Sequence, residues 1–299
     1  MCLGKLINSA LACQLVWVSV SNEMNGATNG SNSKLLTDFE SKDILWQAKE
    51  NGKPLVLLLD YDGTLAVIQP NPNNTRMTED TKKILEEICS NKDVFVSIIT
   101  GRCVKDIKEK VGIESIIYAG NHGFEITYPN GETHNQPISE EHAESYKNIL
   151  AELEPLAKNG AWIEDKIFSM TFHYEETPEE LHSELDQKAR EIIKKHGFKP
   201  TGGHLIVETR PPILWHKGYA AKYLLQRHFG DDWREKVNVV FMGDDTSDED
   251  IMKALNGHAI TFRVSQNPEL VTDATFLIKS PSEVNTILHK IKESLAQNS

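Results

Sequence analysis

Residues Leu55 to Leu65 read LVLLLDYDGTL. The run Leu55 to Leu59 is aliphatic throughout, with no polar alternation, which is the pattern of a strand buried on both faces of a parallel sheet. It leads directly into Asp60 and Asp62, and Gly63-Thr64 then breaks the pattern. Ligands of parallel sheets bind beyond the carboxyl ends of the strands. Two carboxylates spaced by two on extended backbone share a face, and Gly63 permits a sharp turn beside them. Carboxylates that close repel one another, and a hard divalent metal such as Mg²⁺, which prefers oxygen ligands, relieves the repulsion. Taken alone, the stretch could equally be a buried strand ending in an ordinary Asp-Gly turn.

The surrounding chain favours the first reading. Apolar runs at Val94–Thr100, Ser115–Ala119, Val237–Met242, Ala259–Val264 and Phe276–Ile278 alternate with helical patterns. Those patterns are expected at Leu35–Asn51, Thr78–Cys89, Cys103–Val111, Lys217–Phe229, Ser247–Leu255 and Ser282–Leu295. Alternating strands and helices predict an α/β fold with a doubly wound parallel sheet, whose right-handed crossovers put every strand C-terminus on one edge. The pattern changes over 139–210. Helices are expected at Ser139–Lys158 and Pro178–His196, and half-exposed strands at Trp162–Lys166, Phe168–Tyr174 and Leu205–Thr209. The chain therefore divides into a core over 35–138 and 211–299 and an inserted α+β unit over 139–210.

With 299 residues, 39% hydrophobic and 25% charged, the composition is that of a globular protein with ample core. A net charge of −12 excludes nucleic acid as the expected partner and means that an anionic ligand needs local cations. Cys2, Cys13, Cys89 and Cys103 have neither metal-site spacing nor a disulfide framework. Lys5 precedes a mostly apolar stretch from Leu6 to Val20, diluted by Asn8, Ser9 and Gln14. The stretch is too short and polar for stable membrane insertion, and the expectation is a cytoplasmic protein with an incidental leader. A secreted protein is the alternative, if residues 1–21 are a signal peptide. Residues 21–34, SNEMNGATNGSNSK, read as a linker, so 1–34 is expected to be leader plus linker.

Three more motifs carry chemistry. Thr100-Gly101-Arg102 closes the second strand and opens a helix, where a hydroxyl and free backbone N–H groups can hold a phosphoryl oxygen; Thr-Gly also serves as any N-cap. Lys217, in WHKGYA, starts a helix and would be a point charge for a phosphate and for an aspartate, although most lysines are merely exposed. Gly243-Asp244-Asp245-Thr246-Ser247-Asp248-Glu249-Asp250 follows a buried strand. An acid-rich helix start explains Glu249 and Asp250 through the helix dipole, but not Asp244, which abuts the strand. Asp244 is therefore read as a metal ligand and Asp248 as its support.

DYDGT resembles the first motif of the haloacid dehalogenase superfamily of phosphohydrolases, and the remaining motifs are similar to those of its trehalose-6-phosphate phosphatase branch. The likeness covers about residues 50–295. It implies a haloacid dehalogenase-like core with an inserted cap, Asp60 as nucleophile, Asp62 as general acid/base, and Thr100 and Lys217 in the catalytic set. Asp60, Asp62 and Asp244 would be the Mg²⁺ ligands. Gly101, Arg102, Asn121 and His122 would contact the substrate from the core. In the insert, Glu164-Asp165-Lys166, Ser169, His173 and Glu208 in VETRP match the family's sugar-reading pattern, so that Glu164, Lys166 and Glu208 would hold the distal glucose. One departure stands out: the family commonly has Arg after His-Tyr, where this chain has Glu175. The resemblance implies a Mg²⁺-dependent hydrolase of trehalose 6-phosphate, with a sugar phosphate as partner and room for functional association with a trehalose-6-phosphate synthase. Other readings are a capped phosphatase of sucrose phosphate or glucosylglycerate phosphate, and a catalytically silent sugar-phosphate sensor. A receiver-like signalling domain fits less well, because of the insert and the late Lys217.

Overall fold

The computed structural model describes residues 34–35, 52–202 and 205–296. The chain divides into two compact units, Met1–His134 with His216–Ser299, and Asn135–Trp215.

The first unit is built on a nine-stranded sheet whose order is β1-β13-β12-β11-β2-β3-β4-β5-β6. Its strands are β1 (Lys34–Leu35), β2 (Leu55–Leu59), β3 (Val94–Ile99), β4 (Ile117–Gly120), β5 (Glu125–Thr127), β6 (Thr133–Asn135), β11 (Asn238–Gly243), β12 (Ile260–Val264) and β13 (Phe276–Ile278). From β1 to β4 every pairing is parallel, and β5 then runs antiparallel to β4. Strand β2 lies at the centre, flanked by β11 and β3, with Leu59 opposite both Met242 and Ile98. All five of its residues are buried, as an uninterrupted aliphatic run requires when both sheet faces are covered.

The covering helices are α1 (Glu79–Cys89), α2 (Val104–Val111), α5 (Lys217–Phe229), α6 (Trp233–Lys236), α7 (Glu249–Ala254) and α8 (Pro281–Ala296). Leu55, Leu57 and Leu59 join Val96, Ile98, Val240 and Met242 in one cluster with Ile84, Leu85 and Ile88 of α1, Ile107 of α2 and Ile287, Leu288 and Ile291 of α8. Val56, Leu58, Val239 and Phe241 point the other way and are equally buried. On that side α5 packs against β3 and α7. Local signals set the helix ends. Thr78 caps α1 by accepting from the Thr81 N–H at 3.1 Å, with Glu79 and Asp80 in the first turn. Helix α2 stops at Gly112, in the left-handed conformation at φ 67°.

The second unit is a four-stranded antiparallel sheet in the order β7-β8-β10-β9. Its strands are β7 (Trp162–Asp165), β8 (Met170–His173), β9 (Lys199–Thr201) and β10 (Ile206–Arg210). Helices α3 (Glu140–Leu153) and α4 (Glu179–Lys195) pack together and bury Tyr146, Ile149, Leu153, Leu185, Ala189 and Ile193 against Met170, Phe172 and Val207. Because side chains alternate along a strand, the opposite face carries Trp162 and Glu164 on β7, Thr171 and His173 on β8, and Glu208 on β10. Among the described residues no helix is long and apolar enough to cross a membrane.

Two expectations change. A helix was expected from Leu35, but Lys34–Leu35 forms a parallel edge pairing with Phe276–Leu277. An open sheet edge offers hydrogen bonds that helical periodicity alone does not register. The rest of that helix, 36–51, and residues 1–33 of the leader lie outside the described residues. The β5–β6 pair was not anticipated, because each strand has three residues and shows no usable period. Its Pro129-Asn130-Gly131 turn, with Gly131 at φ 81°, was the available signal.

Leu57→Ala should destabilise the protein by about 2–5 kcal/mol, because the central strand cannot collapse around the void. Urea unfolding followed by circular dichroism measures this; a loss well under about 1 kcal/mol would contradict the central position of β2.

Candidate active site

Strands β2 and β11 deliver two aspartates to one edge. The Asp60 N–H donates to the Met242 carbonyl at 2.9 Å, so the ladder runs one residue beyond β2 and holds Asp60 beside the end of β11. Gly63 then turns the chain with φ +76°. A Cβ added there would lie 2.1 Å from Asp244 Oδ2, so glycine is what lets the Asp244 carboxylate approach this turn. The buried Thr64 hydroxyl donates to Asp244 Oδ1 at 3.4 Å.

The third contributor is Lys217, 2% exposed, at the start of α5. Its Nζ donates to Asp60 Oδ1 at 2.7 Å and to Asp248 Oδ1 at 2.8 Å. The other Asp248 oxygen accepts from the backbone N–H groups of Asp244 and Asp245, at 3.1 and 2.9 Å. Asp248 thus fixes both the lysine and the loop that carries Asp244. Helix α5 comes this close because residue 218 is glycine: a Cβ there would meet the Asp250 carbonyl oxygen at 2.3 Å.

One ammonium against three carboxylates leaves two formal negative charges in a buried site. Burial by itself would lower Lys217, but Asp248 and Asp60 outweigh it, and the lysine is held charged well above its usual range. The carboxylates show the excess. Burial pushes Asp60 well above the usual range, and repulsion from Asp248 and Asp244 adds to it, partly offset by Lys217. Burial, then repulsion from Asp248, pushes Asp244 up to about 7. Hard oxygen donors with unbalanced negative charge fit a divalent cation. Asp60, Asp244 and Asp248 offer oxygens within 4.8 Å of one another, the one such group among the described residues. With both Asp248 oxygens engaged in hydrogen bonds, Asp60 and Asp244 are the better placed ligands.

Asp62, expected as a third Mg²⁺ ligand, stands outside this group. Its carboxylate is gripped by Arg102, whose Nε donates to Oδ2 and Nη2 to Oδ1, both at 2.6 Å. Burial would lower the Arg102 pKa, but the hydrogen bonds it donates to Asp62 and Asp106 raise it, so the guanidinium stays charged. Arg102, expected at the substrate, is thereby committed to Asp62, to Asp106 at 2.7 Å and to the Pro72 carbonyl at 2.8 Å. Thr100, Gly101 and Arg102 are knitted to the next strand end. The Asn121 N–H donates to the Arg102 carbonyl and the His122 N–H to the Thr100 carbonyl, both at 2.8 Å. Asn121 and His122 adopt left-handed backbone at φ 51° and 58°, a conformation costing non-glycine residues about 1–2 kcal/mol each. Register places this assembly at the same sheet edge as Asp60, since Leu59 lies opposite Ile98 and Ile99 opposite Ala119.

In the second unit the three expected sugar-reading residues meet on the sheet face opposite the helices. Glu164, Thr171 and Glu208 form one row across three strands. Lys166 Nζ lies 3.3 Å from Glu164 Oε2 and 3.9 Å from Glu208 Oε1, and donates to the Thr171 hydroxyl at 3.0 Å. Glu164 is half-buried; burial would raise its pKa, but His173 and Lys166 hold it below the usual range.

Sequence reasoning missed three contributions: the clasp of Asp248 on Lys217, the pairing of Asp62 with Arg102, and the cap that Glu125 Oε2 places on the Val104 N–H at 3.1 Å. Each joins residues far apart in the chain. The one sequence signal was the surplus of aspartates after β11.

A profile of the trehalose-phosphatase family matches residues 58–284. Trehalose-phosphate phosphatase B of Arabidopsis thaliana is 32% identical over 256 residues, covering 81% of this chain and 67% of that protein. The crystal structure of a trehalose-6-phosphate phosphatase related protein matches with a TM-score of 0.69 at 24% identity, over 82% of this chain and 100% of that one. The C-terminal domain of C. albicans trehalose-6-phosphate phosphatase matches with a TM-score of 0.70 at 20% identity, over 89% and 99%. The two structural likenesses speak for the fold, while the profile and the plant relative speak for descent. On that evidence the chain belongs to the trehalose-phosphatase family.

Proposed function

We propose that the protein hydrolyses trehalose 6-phosphate to trehalose and inorganic phosphate through an aspartyl-phosphate on Asp60, with Mg²⁺ held by Asp60 and Asp244. The observation that carries this reading is the buried Lys217 bridge between Asp60 and Asp248, which leaves one Asp60 oxygen for chemistry. When bound, Mg²⁺ would supply the positive charge that the carboxylate group lacks and would offset charge on the phosphoryl oxygens.

Asp60 attacks phosphorus in line through the oxygen not engaged by Lys217, and the bond from phosphorus to the sugar oxygen breaks. Asp62 gives its proton to that oxygen, so trehalose leaves neutral. Water then attacks the phosphorus of the aspartyl-phosphate, Asp62 takes its proton back, and phosphate and the Asp60 carboxylate are restored. Both Asp62 oxygens accept from Arg102, so the acid half requires that pair to open. Lys217 and the Thr100 hydroxyl and backbone region face the charge spread over the equatorial oxygens. In a loose transition state, positioning and charge stabilisation make up most of the catalysis. Glu164, Lys166 and Glu208 are proposed to hold the distal glucose, since forked carboxylates and an ammonium suit adjacent hydroxyls. The division into leader, core and cap, a cytoplasmic location and functional association with a trehalose-6-phosphate synthase complete the proposal. They rest on the sequence and on the family resemblance.

Asp60→Asn should lower turnover by roughly four orders of magnitude or more, measured as phosphate release. Turnover near that of the wild type would exclude Asp60 as nucleophile. Glu164→Ala or Glu208→Ala should cut kcat/KM for trehalose 6-phosphate by about 10- to 100-fold, the worth of a charged hydrogen bond, while an aryl phosphate is still cleaved. Equal losses on both substrates would contradict a recognition role, and a panel including sucrose phosphate and glucosylglycerate phosphate tests the sugar.

A further inference from the structure

His173 lies on the charged face of the second unit, 4% exposed, at the end of β8. Both ring nitrogens meet carboxylates: Nδ1 is 3.0 Å from Glu175 Oε1 and Nε2 is 3.4 Å from Glu164 Oε2. The ring is stacked on Trp162 from the neighbouring edge strand, with centroids 4.0 Å apart and planes 2° from parallel. Across β8 on the other side stands Ile206, which carries no charge. The charged groups around this ring are therefore Glu164, Glu175 and, beyond Glu164, Lys166 with Glu208.

Two acceptors on one imidazole leave little choice of protonation state. Only the imidazolium has two N–H donors; a neutral ring would aim a lone pair at one of the carboxylates. A cation sandwiched between two carboxylates and an indole face is also favoured by the ring quadrupole. The pKa follows this geometry: burial would lower it, but hydrogen bonds to Glu164 and Glu175 outweigh burial and hold it above the usual range.

We propose that His173 is a positioning residue for sugar recognition: anchored by Glu175 and backed by Trp162, its imidazolium sets the Glu164 carboxylate in the orientation that reads the sugar hydroxyls. The inference rests on the proposed contact of Glu164 with the sugar. Glu175 is the anchor in this chain, at the position where the family resemblance led to expect an arginine. Loss of the His173 proton breaks one of the two clasps. The one N–H left on the neutral ring stays with Glu175, the shorter contact, so Glu164 is then held by Lys166, and affinity for the sugar phosphate falls while the chemistry on the phosphoryl group continues.

The test compares KM and kcat for trehalose 6-phosphate and for an aryl phosphate from mildly acidic to mildly alkaline pH, in the wild type and in Glu175→Gln, His173→Phe and Glu164→Ala. The ratio of kcat/KM for the two substrates removes the pH dependence of the core chemistry. In the wild type this ratio should fall above neutral pH through a rising KM for the sugar phosphate. Glu175→Gln, at an exposed position and isosteric, should move that fall to lower pH. His173→Phe keeps the ring against Trp162 and should raise KM for the sugar phosphate on the order of tenfold, with no remaining pH dependence in the ratio. A flat ratio in the wild type, or an unmoved fall in Glu175→Gln, overturns the inference even if His173→Phe does not fold. An effect of Glu164→Ala on KM without any effect of the His173 and Glu175 variants overturns the positioning role alone. An unchanged KM in Glu164→Ala overturns the recognition reading and this inference with it.

Discussion

Unbalanced charge is the constraint on which the first unit depends. Asp60, Asp244 and Asp248 crowd together where water is scarce, and among the described residues Lys217 is the ammonium bonded within the group. Solvation cannot stabilise ions so placed, and each must find an opposite charge or give up its own. Lys217 meets part of the need, with its two short hydrogen bonds. Asp248 meets another part by taking two backbone N–H groups on its second oxygen. What remains unbalanced lies on Asp60 and Asp244, the proposed ligands of the cation. The fold serves this arrangement: central strands set the aspartates at one edge, and glycines at 63 and 218 let side chain and helix close in.

The second unit solves a different problem with similar parts. Its helices cover one sheet face, and the other face must hold several charges close to water. There Lys166 sits between Glu164 and Glu208, and His173 between Glu164 and Glu175, so that cation and anion alternate along the face. Partial exposure makes each pair weaker than those around Lys217, because water competes for the same groups. Such a face is adaptable and suits a polyol, whose hydroxyls both donate and accept.

Much of this was legible in the sequence, and the reasons are specific. An unbroken run such as Leu55–Leu59 has few alternatives to a central parallel strand, and the two carboxylates after it mark the functional edge. The crossover logic then carried Thr100, Lys217 and Asp244 to that edge, although Thr100 precedes the other two by more than a hundred residues. The alternation Trp162, Glu164 on β7 was enough to place Glu164 on an exposed face. Side-chain partners were not legible. Nothing local says that Arg102 grips Asp62 or that Asp248 clasps Lys217, because these depend on distances between elements. Short strands such as Glu125–Thr127 were lost for want of period, and the pairing of Leu35 with Leu277 for want of any local sign of its partner.

Calorimetric titration of Mg²⁺ into the metal-free protein, in buffers of different ionisation enthalpy, tests the charge account most directly. In that protein the Asp244 carboxyl is pushed up to about 7, well above its value of about 3.9 in an unfolded chain. Its neutral form therefore favours the folded state at low pH, and that contribution is lost as pH rises towards 7. A cation that takes the place of this proton must release it. The account predicts proton release on binding, affinity that strengthens as pH rises through neutrality, and loss of both effects in Asp244→Asn. Binding without proton release, or with unchanged affinity in Asp244→Asn, would contradict it.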